Sequence, residues 1–198
     1  MKIAAILLAA GRSTRMGHAN KLMHPLADSS ILEQSLQHLV MSNVGEIILV
    51  LGFETEKISA LPLVKKLASE GKLRIVINEN HENGMGSSLA TGINALDTQT
   101  DACLIALGDM PYIQPSSIDQ IITDANAHND KQIFIPQFNG KNGHPTLWRK
   151  PLFNQLAELS GDNGGKNIIQ THKSLNQIVA VDDQGILKDI DTLEMLDN

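Results

Sequence analysis

Five nearly continuous apolar runs punctuate the chain, at Ile3–Ala9, Glu46–Leu51, Leu73–Asn78, Asp101–Leu107 and Gln132–Phe138. Runs this rich in Ile, Leu and Val, with little polar alternation, predict strands buried on both faces. The stretches between them carry helical signals. Ser30-Ile31-Leu32-Glu33 has the form of a capping box and opens a helix to about Asn43, with Leu32, Leu36, Leu39 and Val40 on one face. Further helices are predicted over Glu54–Glu70, broken at Pro62, and over Ser87–Leu96 and Pro115–His128. Strands alternating with helices predict an α/β chain with a mostly parallel sheet covered on both faces. In such sheets a ligand site lies beyond the carboxyl ends of the strands. The last third changes character. GHPTLW (143–148), GDNGGK (161–166) and KDIDTLE (188–194) stand among shorter elements. This tail is expected to fold back onto the sheet and complete the site.

With 198 residues, the chain suits a single domain over 1–198. Its 42% hydrophobic content and lone cysteine, Cys103, fit a soluble protein of a reducing cytoplasm, without an internal disulfide. The run Ile3–Ala10 is too short to span a membrane and reads as a buried strand rather than a signal segment. A net charge of -6 argues against a nucleic-acid partner, and Tyr112 and Trp148 are too few to stack successive bases.

Charge becomes informative in its distribution. The first acidic residue is Asp28, and four cations, Lys2, Arg12, Arg15 and Lys21, precede it. Three of them surround a strand-to-helix loop that begins at Gly11. Such a loop can aim backbone N–H groups at phosphates while Arg and Lys neutralise them; an ordinary solvated loop is the alternative. Neither G-x-x-x-x-G-K-[ST] nor G-x-G-x-x-G occurs, so a Walker loop and a dinucleotide fingerprint are both excluded.

Asp109 ends a buried strand in LIALGDMP and would stand at the same sheet edge as the Gly-Arg loop. A carboxylate there suits Mg²⁺, or serves as a turn or cap before Pro111. Asp191, and after it Asp189, offers a second carboxylate, or an N-cap for a terminal helix. Ser87 and Ser88 open a helix, where they would hold a ribose, base or phosphate, or simply cap it. His144 lies in Gly-His-Pro, open to either a substrate or a structural role. The histidines show no metal-ligand spacing, and Cys103 sits in an apolar strand as packing.

Together these segments resemble the nucleotidyltransferases with a glycosyltransferase-A-like fold, and most of all the molybdenum cofactor cytidylyltransferase group. The group's L-A-A-G-x-S-x-R-M-G loop reads here as Leu8–Gly17, followed by Lys21. Its G-M-x-x-S-[LI] matches Gly84–Leu89, its G-D-M-P matches Gly108–Pro111, and its G-H-P matches Gly143–Pro145. Its G-D-x-G corresponds to Gly161–Gly164 and its D-[IV]-D-T to Asp189–Thr192. The matches keep the group's order and span nearly the whole chain. There are two departures: Gly165-Lys166 stands where many members have Ala-Arg, and no proline follows Thr192.

The resemblance implies a three-layer α/β/α sandwich, with residues 1–112 binding an NTP and 113–198 binding the acceptor and completing a metal site. Leu8, Ala9, Ala10, Gly11, Arg12, Lys21, Gly86, Ser87 and Ser88 would hold the nucleotide. His144 and Asp162 would meet the acceptor, and Asp109 and Asp191 would bind Mg²⁺. Lys21, Arg15 and Asp109 would carry catalysis. Ala10 resembles the cytidylyl branch and favours CTP over GTP. The implied partners are CTP or another NTP and a phosphorylated small molecule of the molybdopterin type, with transient contact to a molybdoenzyme or its chaperone. The rivals are a guanylyltransferase, an enzyme for a different phosphorylated acceptor, and a non-catalytic nucleotide-binding protein that delivers the cofactor.

The chemistry of nucleotidyl transfer accounts for what the sequence holds. An acceptor phosphate attacks the α-phosphorus in line and pyrophosphate leaves. The nucleophile is already anionic, so no Ser–His or Cys–His pair is required. The protein must hold two mutually repelling anions together and offset their charge.

Overall fold

The computed structural model describes residues 1–12 and 20–191. The strands are β1 (Ile3–Ala9), β2 (Pro25–Leu26), β3 (Ser29–Ser30), β4 (Glu46–Leu51), β5 (Leu73–Ile77), β6 (Ala102–Leu107), β7 (Ile133–Phe138), β8 (Lys141–Asn142), β9 (Thr146–Arg149) and β10 (Asn176–Ala180). The helices are α1 (Ile31–Val40), α2 (Thr55–Ser59), α3 (Pro62–Ser69), α4 (Met85–Asn94), α5 (Pro115–Ala127), α6 (Phe153–Ala157) and α7 (Lys166–Thr171). The five predicted strands are all present within a residue at each end, and the predicted break at Pro62 separates α2 from α3.

The main sheet runs β10-β7-β9-β6-β1-β4-β5, with β8 beside β7. β6, β1, β4 and β5 are mutually parallel, while β9 runs antiparallel to both β6 and β7. Side chains along β1 alternate between the two faces. Ile3, Ala5, Leu7 and Ala9 join a core with α1, α3 and α5, whereas Ile6 joins one with α4, α6 and α7. The result is the expected three-layer α/β/α sandwich with a mostly parallel sheet. After β1 the chain builds β4 and β5 on one side, then returns to place β6 on the other. That reversal opens a crevice beyond the carboxyl ends of β1 and β6.

Helix α1 opens as its sequence predicts, but it ends at Val40 rather than Asn43, and Val40 is exposed instead of joining Leu32, Leu36 and Leu39 in the core. Ser30 Oγ accepts from Glu33 N–H at 3.3 Å and Glu33 Oε2 accepts from Ser30 N–H at 3.0 Å. The same buried glutamate has a second role, because its Oε1 accepts from Leu63 N–H at 2.9 Å and anchors the start of α3.

The tail folds back as expected, and more deeply than its sequence suggests, since β9 lies inside the sheet and β10 forms its edge. Beyond β10 the chain is fastened by Asp183, which is 7% exposed. Asp183 Oδ2 accepts from Gln114 N–H and Ser117 Oγ–H at 2.8 Å each, at the start of α5, and its Oδ1 accepts from Gly185 N–H at 2.8 Å. Replacing Asp183 with alanine strands these donors in the interior. The expected loss is about 3 kcal/mol of stability, from the cost of buried donors without partners. Urea denaturation checks this; a loss below about 0.5 kcal/mol, the range of an ordinary surface change, would contradict it.

Candidate active site

Three segments meet in the crevice. The first is the end of β1, which delivers Ala9, Ala10 and Gly11. The second is the 3-10 turn Lys21–Met23, whose preceding residue Asn20 accepts from Leu22 N–H through Oδ1 at 3.1 Å. The third is the Gly108-Asp109 turn after β6. The last described residues of the tail join them through Ile190 N–H, which donates to the Asp109 carbonyl at 2.9 Å. This backbone bond brings residues far apart in sequence side by side.

The outcome is a cavity of about 360 Å³, lined by Leu8, Ala9, Ala10, Gly11 and Lys21 on one side. Ser88, Asp109, Asp162 and Asp191 line it as well. Lys21 Nζ donates to Asp109 Oδ2 at 2.7 Å and to Asp191 Oδ1 at 3.3 Å. Asp109, Asp189 and Asp191 each bring a carboxylate oxygen within 4.8 Å of the others. Burial by itself would lower the Lys21 pKa. The charge and hydrogen bond of Asp109, joined by Asp191, outweigh burial and hold it above the ordinary lysine value. Lys21 is therefore a cation near neutral pH, set among acids that repel one another.

Helix α4 and the Gly161-Asp162 loop form the opposite wall. Gly84, which caps α4, has φ +86°, and a Cβ there would strike the Gly161 backbone. Gly86 N–H donates to the Gly161 carbonyl at 2.8 Å, and a Cβ on Gly86 would come within 2.8 Å of Ser160. The two glycine-rich motifs thus touch backbone to backbone, which sets Asp162 facing the cavity.

Other residues singled out in the sequence are not among those that line the cavity. Arg12 is exposed, pairs with Glu82 and lies over the Phe53 ring, 5.6 Å from its centroid. Gly86 is taken up by the loop contact, and Ser87 donates its hydroxyl to the Gly84 and Asn80 carbonyls. His144 is half-buried beside the tail, its N–H donating to the Ile186 carbonyl at 3.0 Å. Arg15 and Thr192 lie outside the described residues. Leu22, His81, Gly84, Met85 and Leu107 complete the cavity lining; Gly84, Met85 and Leu107 stand in motifs read from the sequence but were not assigned to the site, and Leu22 and His81 belong to none of those motifs. His81 reaches it from the turn that precedes Gly84, and its residue type gives no hint of that.

A model of the MobA-like NTP transferase domain matches residues 5–177. The chain belongs to this family. Among relatives, it is 29% identical over 194 residues to the molybdenum cofactor cytidylyltransferase of Escherichia coli, covering 96% of this chain and 91% of that one. It is 25% identical over 202 residues to the nicotine blue oxidoreductase of Paenarthrobacter nicotinovorans, covering 98% and 94%. The crystal structure of Rv0371c from Mycobacterium tuberculosis superposes with a TM-score of 0.85 at 26% identity, over 98% of this chain and 94% of that one. Among the described residues of this family member, no helix is long and apolar enough to cross a membrane.

Two histidines give the family member a defined pH response. Burial pushes the His144 imidazole below the ordinary histidine value against the pull of Asp109, and Lys166 adds to the depression. Burial does the same to His38, against the Ile113 backbone and Asp183. Both stay neutral in the folded state where the unfolded chain takes up protons. Stability is therefore full above about pH 6.5, the ordinary histidine value, and falls as pH drops from there toward the lowered folded values. Urea midpoints measured at pH 7 and pH 5 check this; His38→Asn should shrink the difference, and a flat profile would contradict it.

Proposed function

We propose that the protein is a Mg²⁺-dependent cytidylyltransferase that transfers CMP from CTP to the phosphate of a molybdopterin-type acceptor and releases pyrophosphate. The observation that carries this reading is the meeting of the Gly11 loop, Lys21, Asp109 and Asp191 in one cavity, with Asp189 within 4.8 Å of both acids. An all-oxygen set of carboxylates is the chemistry a hard cation such as Mg²⁺ takes. Asp109 and Asp191 would hold it, with Asp189 beside them. When bound, it would offset charge on the transferring phosphate.

The chain's own groups supply the rest. Backbone N–H groups of the loop from Ala10 to Arg12 face the phosphates, and Lys21 neutralises the α-phosphate. An acceptor phosphate oxygen forms the new bond to the α-phosphorus, and the bond to pyrophosphate breaks. The walls keep both anions in line, and this positioning is the larger part of the task. Ala10, which is 3% exposed, stands where the cytidylyl group has alanine, and the Escherichia coli relative's name agrees with CTP. On the acceptor side, Asp162, which lines the cavity, would meet the second substrate, and His144, which is not among the lining residues, would act from beside the tail. Contact with a molybdoenzyme or its chaperone would pass the product on.

The relative named as an oxidoreductase raises a redox reading. Two carboxylates paired with a lysine, and a third within 4.8 Å of both, favour phosphoryl chemistry over hydride transfer. The test is pyrophosphate release with Mg²⁺ and molybdenum cofactor as acceptor, compared across CTP, GTP, ATP and UTP, with NADH and NADPH oxidation followed in parallel. Release with CTP alone is expected. Release with GTP would move the protein to guanylyl transfer, and nicotinamide oxidation without release would replace the reading.

A further inference from the structure

Asn78 follows β5 and is 3% exposed. Its Oδ1 accepts from Asn80 N–H at 3.0 Å. Its Nδ2 donates to Ser87 Oγ at 2.9 Å and to Ser88 Oγ at 3.0 Å. The amide cannot be turned over, because its NH₂ would then face the Asn80 N–H, donor against donor. Both serine oxygens are therefore acceptors toward Asn78, and each has one proton left to give. Ser87 directs its proton to the Gly84 and Asn80 carbonyls, at 2.9 Å and 3.0 Å. Ser88 makes no other side-chain hydrogen bond among the described residues, and it lines the cavity.

We infer that Asn78 is a positioning residue: by occupying the acceptor side of the Ser88 hydroxyl, it turns that O–H into a donor aimed at the nucleotide. The inference rests on reading the cavity as the NTP site. It adds which way one wall group is polarised and what it selects, namely a carbonyl oxygen, ring nitrogen or ribose oxygen of the nucleoside. Two neighbouring serines thus have opposite assignments, one closing the turn and one reading the ligand.

The test is to reverse the polarity. Asn78→Asp keeps the shape and the bond to Asn80 N–H, but it replaces the NH₂ with an oxygen that accepts. The Ser88 proton then turns to the carboxylate, and lone pairs face the ligand. Mg²⁺-CTP binding by calorimetry and KM for CTP are measured for wild type, Ser88→Ala, Asn78→Asp and the double variant, with melting temperatures as a check on folding. Ser88→Ala should weaken CTP binding by about tenfold, and Asn78→Asp by at least as much, with the change in KM rather than kcat. In the Ser88→Ala background, Asn78→Asp should add less than about twofold, since the group it acts through is gone. A full Asn78→Asp penalty persisting without Ser88 would reveal a structural role and overturn the inference, as would CTP binding unchanged in Ser88→Ala. The second of these stands even if Asn78→Asp folds poorly. Wild-type protein that binds no NTP would overturn the nucleotide reading and the inference together; binding with additive penalties would overturn the inference alone.

Discussion

We expect Asp109→Asn to lower pyrophosphate release by about a thousandfold or more while the protein melts within a few degrees of wild type. The two halves of this expectation have separate causes. Asp109 is the carboxylate closest to Lys21, at 2.7 Å, and one of three whose oxygens gather within 4.8 Å. Asparagine offers a neutral oxygen, a far weaker partner for a divalent cation. The fold is spared because the bond that ties the tail to this turn uses the Asp109 backbone carbonyl, which the substitution keeps. Losing one of three crowded negative charges also relieves repulsion. Steady-state kinetics and a melting curve decide it. Turnover within tenfold of wild type would remove Asp109 from the chemistry, and a collapse in melting temperature would make the kinetic loss uninformative about metal.

Lys21→Met should affect both stability and activity. The Lys21 side chain is 13% exposed and offsets Asp109 and Asp191 directly. Methionine leaves the acids facing one another without that cation, at a cost of about 1–3 kcal/mol, below the range for fully buried pairs because the carboxylates are partly solvated. Transfer should fall by about a hundredfold to a thousandfold, as when a preorganised charge partner is removed. The diagnostic feature is the response to Mg²⁺. In wild type the cation competes with an ammonium for the same oxygens, and in Lys21→Met it does not. The rise in melting temperature on adding MgCl₂ should therefore be larger in the variant than in wild type. An equal or smaller rise would mean that the carboxylates are not where the cation binds.

What the sequence revealed follows from the kind of burial each element has. β1 and β4 are read to the residue because central parallel strands are apolar on both faces. β9, with sequence TLWR, and β10, with NQIVA, are short and mixed, and β10 is a half-covered edge strand. Their strand character comes from the neighbours they pair with, which no local pattern records. Lys21, Asp109 and Asp191 could be singled out in the sequence because each ends or follows a recognisable motif, and the fold brings all three to one cavity. Asp183 could not be, since an acid in VDDQG looks like any solvated turn residue until Ser117 and Gln114 are placed against it. Asn78 was hidden for a similar reason: its role depends on two serines that become its neighbours only when α4 docks beside β5.

The fastening of the tail has a consequence for how the protein comes into being. Among the described residues, all ten strands are present by Ala180, and with them nearly the whole cavity wall. Asp189 and Asp191 arrive only afterwards, carried in past the Asp183 anchor. A chain emerging during synthesis would therefore hold a nearly complete cavity, with Asp109 already there to pair with Lys21, before it held Asp191, the second acid partner. The second acid partner of Lys21 thus comes from a short stretch that adds nothing to the sheet.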